Sequence, residues 1–552
     1  MKWSKLSTTG LTLGCLLLVL CKLWLVGPHE LVALKMPHDD LLFVTLGQYI
    51  LQGQWLGPYN QLTLIKGPFY PLFIAGSYLL DIPLLAAQQL LYAFASFVCV
   101  WALFPIVRQR WILLGIFLLL LMNPFSYNYP AVGRVFRLGI YQSLGLLVFS
   151  SVLGMYIRAR VSWQRAIGWA VMAGLALSAF WHTREESIWI VPSLLLLFGA
   201  AVYENWRLGR AGQLVGIGVY LLPVLIWAGA TFTLETLNKI HYGVPATIEL
   251  ETPAFKAAYG GLLRIKSKKW RQYIPVVKDV REQAYKVSPA FKEIKPYLEG
   301  EVGQRWIALS HTNDLPAGFF IWTFRDAVAY AGYYKNGPET LAYYRRIGQE
   351  IDAACDAGKL ECRPRFTSLV PPWHREFNAS FFPTFFSVFK RIISFQDFSA
   401  STTGIMSKGS RSLMQLYDIV TREKLRTSKK SVLHGYPAYH RRLNRIKIRI
   451  LTGIGGWYET MVPVLFTVAI VLLLVFGAVP ALRKKYAAYI AFALACLGGL
   501  FSITFILTLL VITSYDSINR AMHVSYPLVL LTIICMLLAA WQYAHSRCSV
   551  AS

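Results

Sequence analysis

Apolar runs long enough to cross a bilayer alternate with short polar breaks at both ends of the chain, and a long stretch of mixed polarity separates the two groups. The first run, 11–26, follows Lys2 and Lys5 and has no small-residue cleavage site after it, so it reads as an uncleaved membrane anchor. Further runs at 84–107, 111–122, 138–157, 166–181, 187–203 and 214–237 predict six more spans, and runs at 461–479, 486–512 and 523–543 predict the last three. The segment 67–80 is apolar but short and rich in Gly and Pro, which predicts a re-entrant or interfacial helix instead of a crossing. Within the long polar stretch, 339–357 has helical periodicity, and Pro371-Pro372 marks a break after it.

Charge orients these spans. The basic breaks at 108–110, 158–165, 207–210 and 483–485, with the Arg547 tail, fall on one side if there are ten crossings, and the positive-inside bias makes that side cytoplasmic together with the N-terminus. The loops 27–83, 123–137, 182–186, 239–459 and 513–522 then face outward. Composition agrees: 55% of the 552 residues are hydrophobic and 15% charged, against about 25% charged in soluble domains. The expected architecture is an all-α polytopic membrane protein. It comprises a seven-helix module (1–238), a large, mainly helical extracytoplasmic insert domain between the seventh and eighth transmembrane helices (239–459), and three C-terminal helices (460–552). The insert carries 35 Lys and Arg against 19 Asp and Glu, a net +16. Long domains translocate largely regardless of charge, so this excess leaves the topology unchanged.

The candidate chemistry lies in the outer loops. His38-Asp39-Asp40 follows the first span, and two adjacent carboxylates at a membrane face need a metal ion, a cationic partner or a shared proton. Asp39 and Asp40 could coordinate a divalent cation such as Mg or Mn, with His38 as a further ligand, serve as a general base, or merely cap the next helix. Lys66-Gly67-Pro68-Phe69-Tyr70-Pro71 follows in the same loop, where Lys66 could hold a phosphate or snorkel to head groups. Arg134 and Arg137 in the second outer loop and Arg184 in the third suggest an anion cradle, with Glu185 or Glu186 orienting a cation or forming interfacial ion pairs. Asp516 and Arg520 occupy the last outer loop. Cys355 and Cys362 sit close together in an outward-facing domain and predict a small disulfide-closed loop, whereas Cys15, Cys21, Cys99, Cys496 and Cys535 lie in apolar spans as small hydrophobes.

At these residues the sequence resembles the GT-C superfamily of integral-membrane glycosyltransferases, in particular the branch of protein O-mannosyltransferases and lipid A aminoarabinose transferases. Those enzymes have an acidic pair in the first outer loop, then a Lys-Pro-Pro-like turn and a short Tyr-Pro-containing helix. Here Lys66-Gly67-Pro68 and Tyr70-Pro71 match, with Gly in place of the first Pro. The resemblance covers roughly residues 1–238 and implies a GT-C-like fold. It further implies inverting transfer of a sugar from a polyprenyl-phosphate donor to an envelope glycan, lipid or protein acceptor, on the outer face of a bacterial inner membrane. It places catalysis on Asp39 or Asp40 and the donor phosphate near Lys66 and Arg184, with Arg134 and Arg137 as companions; a divalent metal is used by some members only. Within the insert, Trp322-Thr323-Phe324-Arg325-Asp326, Ala331-Gly332-Tyr333-Tyr334-Lys335 and Tyr343-Tyr344-Arg345-Arg346 mix aromatics with cations, which suits acceptor recognition or a packed core equally. The basic excess fits anionic membrane lipids, and no nucleic acid is expected outside a membrane. Two other classes remain: a lipid-linked glycan transporter, which would carry ionisable residues at mid-membrane depth, and a noncatalytic envelope-assembly partner.

Overall fold

The computed structural model describes residues 7–207, 214–310, 312–365, 369–402, 405–427, 438–514 and 522–548, and in these the regular structure is helical apart from isolated β-bridges. The helices used below are α1 (Thr8–Val26), α2 (Asp40–Leu51), α3 (Phe69–Leu79), α4 (Leu84–Leu103), α5 (Arg110–Leu121), α6 (Leu138–Ala159), α7 (Trp163–Trp181), α8 (Val191–Arg207) and α9 (Leu214–Tyr242). They continue with α10 (Pro253–Arg264), α11 (Ala317–Tyr330), α12 (Gly337–Asp356), α13 (Phe377–Ile393), α14 (Arg411–Thr421), α15 (Ala438–Ala478), α16 (Ala487–Thr513) and α17 (Tyr526–Cys548).

Eight of the ten expected spans form helices long and apolar enough to cross a membrane. The other two, α5 and α7, fall short of that measure for different reasons. Helix α5 has only 12 residues, about 18 Å against a hydrocarbon core of about 30 Å. Helix α7 is long enough at 19 residues, but Gln164 and Arg165 in its first turn dilute its hydropathy. Both still reverse the chain. Arg158 donates to the carbonyls of Trp101 and Ala102 (3.0 and 3.3 Å), and Gln542 donates to that of Ile106 (3.0 Å), which gathers these basic turns at one end of the bundle. At the other end the Val32 amide reaches the Gly133 carbonyl (2.8 Å), and the Tyr129 amide reaches that of Ser399 (2.9 Å). The chain returns from 106 to 133 through α5 and its flanks, which include a 3-10 turn at Pro124–Tyr127 and one helical turn at Tyr129–Val132.

Helix α6 is enclosed along its apolar length, with α4 and α7 against it, and as expected of a fully buried helix it is apolar all round. Its contact with α7 needs Gly154, because a Cβ there would collide with the Trp169 ring. Lys22, one turn from the end of α1, is buried but partnered: its ammonium donates to Ser126 Oγ at 2.7 Å and lies 4.6 Å from the centre of the Tyr92 ring. Helix α3 has 11 residues, about 16 Å, too few to cross, and packs on α2, α4 and α14.

The insert has a core of its own, built by Phe255, Tyr259 and Leu262 of α10, Phe320 and Phe324 of α11, and Tyr344, Ile347 and Ile351 of α12. Cys355, in the last turn of α12, is disulfide-bonded to Cys362. Packing divides the chain differently from the 239–459 boundaries. Helix α13 returns to the membrane bundle, where Phe385 and Phe389 stack on Phe501 of α16 at 6.2 and 5.3 Å, and position 459 falls inside the single 41-residue helix α15. Between them, residues 405–427 strap the first outer loop: the Arg426 amide bonds the Leu31 carbonyl (2.8 Å), the Lys408 amide that of Ala33 (3.0 Å), and the Tyr417 hydroxyl that of Leu34 (2.7 Å).

Candidate active site

The strapped loop ends in a turn in which the amides of Asp39 and Leu41 both bond the Met36 carbonyl at 3.1 Å, and α2 starts there. Asp39 is the residue before α2, yet its side chain makes no cap hydrogen bond. Its carboxylate instead accepts from Lys66 Nζ, which also donates to the His38 carbonyl. The Asp39 side chain keeps 33% of its surface exposed, whereas that of Asp40 is fully buried. Asp40 is gripped by Arg134, Nε to Oδ1 at 3.1 Å and the terminal nitrogen to Oδ2 at 2.5 Å, a forked pairing that satisfies both carboxylate oxygens.

Lys66 is aimed by two supports. Gly67 lies so close to the His182 carbonyl that a Cβ would collide with it, and the Phe69 amide bonds the same carbonyl at 3.3 Å. Position 67 has no room for a side chain because the loop carrying His182 passes directly against it. The second support comes from the insert, through a fully buried ion pair between Arg325 and Glu249 (2.6 Å). Arg325 also donates to the Gln61 carbonyl (2.6 and 3.2 Å), Glu249 accepts from the hydroxyls of Tyr59 (2.9 Å) and Tyr334 (2.6 Å), and the Glu249 amide bonds the Leu64 carbonyl at 2.8 Å. Arg325, Tyr334 and Tyr344 therefore belong to the packed joint between insert and loop.

These loops open on a cavity of about 560 Å³. Its polar wall carries His38, Asp39, Lys66, Arg137, Arg184, Glu185 and Glu186, and its apolar wall carries Ile188 and, from the outer end of α16, Ile506, Leu509 and Leu510. The insert adds Tyr259, Trp322 and residues 369–371. Arg137 donates to Glu185 (2.7 Å) and to the Thr183 carbonyl (2.9 Å), and Arg184 pairs with Glu186. Arg134, expected with the phosphate ligands, and Asp40, expected beside Asp39 in the site, are not among the lining residues. The parallel bridge from Val32 to Arg134 turns the guanidinium onto Asp40 behind the wall. Asp516 and Arg520 lie outside the described residues.

The two acids are shifted in opposite directions, as they differ in exposure. Burial pushes Asp39 up, but Lys66, then Arg137 and Arg134, outweigh it and hold the carboxyl below its usual range. Burial pushes Asp40 up, and Arg134 recovers only part of that. Burial also lowers Lys66, against the pull of Asp39. For His38, burial, aided by Lys66 and Arg325, lowers the imidazole to about 3, so it is neutral at physiological pH. Each carboxylate has its own cation, and among the described residues no group of three or more His, Cys, Asp and Glu side chains converges.

The apolar wall from α16 and the buried Glu249 meet the site through contacts remote in the chain, which local pattern does not carry; Trp322 stands in an aromatic-cationic stretch whose role composition leaves open. No family model matches the chain, and no curated protein matches it. Two solved structures are similar to it, both crystal structures of ArnT from Cupriavidus metallidurans. The one bound to undecaprenyl phosphate is 13% identical over 96% of this chain and 78% of its own, and the one in the apo state 14% over 94% and 77%, each with a TM-score of 0.31. A score of that size does not establish a common fold. What the helices themselves define is an all-helical, multi-pass membrane protein with an amphipathic cavity at one end of its bundle.

Proposed function

We propose that this protein is an inverting glycosyltransferase that moves a sugar from a polyprenyl-phosphate carrier to a cell-envelope acceptor on the outer face of a bacterial inner membrane. One observation carries the reading: a half-open carboxylate, Asp39, and the cations Lys66, Arg137 and Arg184 share a cavity whose other wall is apolar. An oily carrier with an anionic head has both its needs met there. In the reaction an acceptor hydroxyl attacks the anomeric carbon, the new C–O bond forms as the bond to the phosphate oxygen breaks, and the hydroxyl proton passes to Asp39. The negative charge developing on the departing phosphate falls beside the three cations. One positioned base contributes about 10²–10⁴-fold, and fixed positive charge at the leaving oxygen contributes on a similar scale.

The basic turns at the opposite end of the bundle support, through the positive-inside bias, a cavity on the outer side. A transporter is disfavoured because the ionisable side chains gather at the two ends of the bundle instead of at mid-membrane depth, and the buried Lys22 bonds Ser126 at the cavity end. Nothing specific favours a noncatalytic partner. The test is transfer by the full-length protein in nanodiscs, supplied with undecaprenyl-phosphate sugars and an envelope fraction. Turnover in wild type and its loss in Asp39→Asn support the reading, and undiminished turnover in Asp39→Asn overturns it.

A further inference from the structure

The part of the cavity wall contributed by α11 has no role in the chemistry above. Trp322 reaches it together with Gly318, one helical turn earlier on the same face, so the absence of a side chain at 318 leaves space beside the indole. The indole ring lies 5.3 Å from the His38 imidazole, and Trp306 meets the same imidazole edge-on at 5.0 Å. His38 is therefore fixed between two indoles, immediately before Asp39. Among the described residues Nδ1 is enclosed without a partner, and Nε2, which is not among the enclosed atoms, has no hydrogen-bond partner either, which leaves Nε2 as the nitrogen available to the cavity. The neutral imidazole can donate or accept there without adding charge.

An aromatic face and a neutral hydrogen-bonding group suit neither a phosphate, which the cations serve, nor a prenyl chain, which the span ends serve. They suit a ring with C–H faces and a hydroxyl edge. We infer that Trp322, Gly318 and His38 form a saccharide subsite that seats a pyranose ring beside Asp39. The inference rests on the glycosyltransferase reading and adds to it where the sugar sits. The ring belongs either to the donor or to a glycan acceptor, and both present the same chemistry to this wall.

Full-length protein in nanodiscs, with folding checked by gel filtration, is titrated with three probes: undecaprenyl phosphate, undecaprenyl phosphate bearing one hexopyranose, and a free hexopyranose trisaccharide. If the donor sugar occupies the subsite, Trp322→Leu and His38→Leu each weaken the sugar-bearing carrier by about five- to tenfold, the size of one lost stacking contact or hydrogen bond, and leave the bare carrier unchanged. Trp322→Phe retains most of the binding. If an acceptor sugar occupies it, the same substitutions weaken the trisaccharide and spare both carriers. Equal weakening of both carriers, or no change with any probe, overturns the subsite. Wild type that gains nothing from the sugar on the carrier and does not bind the trisaccharide also overturns the subsite while sparing the glycosyltransferase reading. Wild type that binds neither carrier removes that reading, and the subsite with it.

Discussion

Asp39 and Asp40 are neighbours in the chain, and each is paired with a cation, yet the corners they occupy have opposite characters. The Asp39–Lys66 corner borders the cavity, with a third of the carboxylate surface exposed. The Asp40–Arg134 corner is sealed, with the carboxylate fully buried and both its oxygens taken by one guanidinium. Asp39 stands before the helix with non-helical backbone and Asp40 begins it, and that change of backbone separates a group that can exchange a proton with a ligand from one that can only hold the loop in place. Chemistry is thus expected of the looser pair and stability of the tighter one.

The largest effect that could break this comparison is on turnover. Asp39→Asn keeps the shape and removes the base, so sugar transfer should fall by about 10²–10⁴-fold while thermal unfolding of the detergent-solubilised protein stays close to wild type. Asp40→Asn should do the reverse. It leaves Arg134 buried without its counter-charge, a loss of about 3–5 kcal/mol read as a lower unfolding temperature, with the transfer rate per folded molecule largely kept. If Asp40→Asn abolished transfer in a fully folded protein, the roles assigned to the two corners would be exchanged.

How far the sequence could reach follows from the same residues. The helices, the gathering of charged loops at one end, the short helix after Lys66 and the Cys355–Cys362 bond follow from local pattern. The choice between the two acids does not, because it depends on an Arg and a Lys delivered from 94 and 27 residues away. Arg134 and Arg137 look alike in sequence, but three residues of separation send one to Asp40 and the other to Glu185 on the cavity wall. Helix α13 was hidden for another reason. Its phenylalanines are interrupted by Pro383, Lys390 and Arg391, so hydropathy falls short of a span even though its aromatic face packs on α16.

A smaller effect sharpens the account of Asp39. Its carboxyl sits below the usual range because Lys66, Arg137 and Arg134 outweigh burial. The base form is therefore present above that lowered pKa, and activity is lost as pH falls through it. Lys66→Gln removes the largest of the attractive contributions while burial persists, so the pKa should rise and the acidic limb of the kcat/KM profile should move to higher pH. An unmoved limb would mean that a group other than Asp39 titrates in the free enzyme.

The smallest expected effect is the most discriminating, because it asks whether the sealed corner needs charge at all. Removing one partner strands the other, but replacing both by apolar side chains of similar size removes the desolvation cost together with the attraction, and such exchanges are often neutral. Asp40→Leu combined with Arg134→Met should therefore recover most of the stability lost in Asp40→Asn, to within about 1.5 kcal/mol of wild type, and should transfer sugar at a rate near wild type. The equivalent exchange at the other corner, Asp39→Leu with Lys66→Met, should be silent in stability and dead in transfer. If the Asp40→Leu, Arg134→Met protein folded but were inactive, Arg134 would have to act on the substrate through the wall, and the division between a working corner and a holding corner would fail.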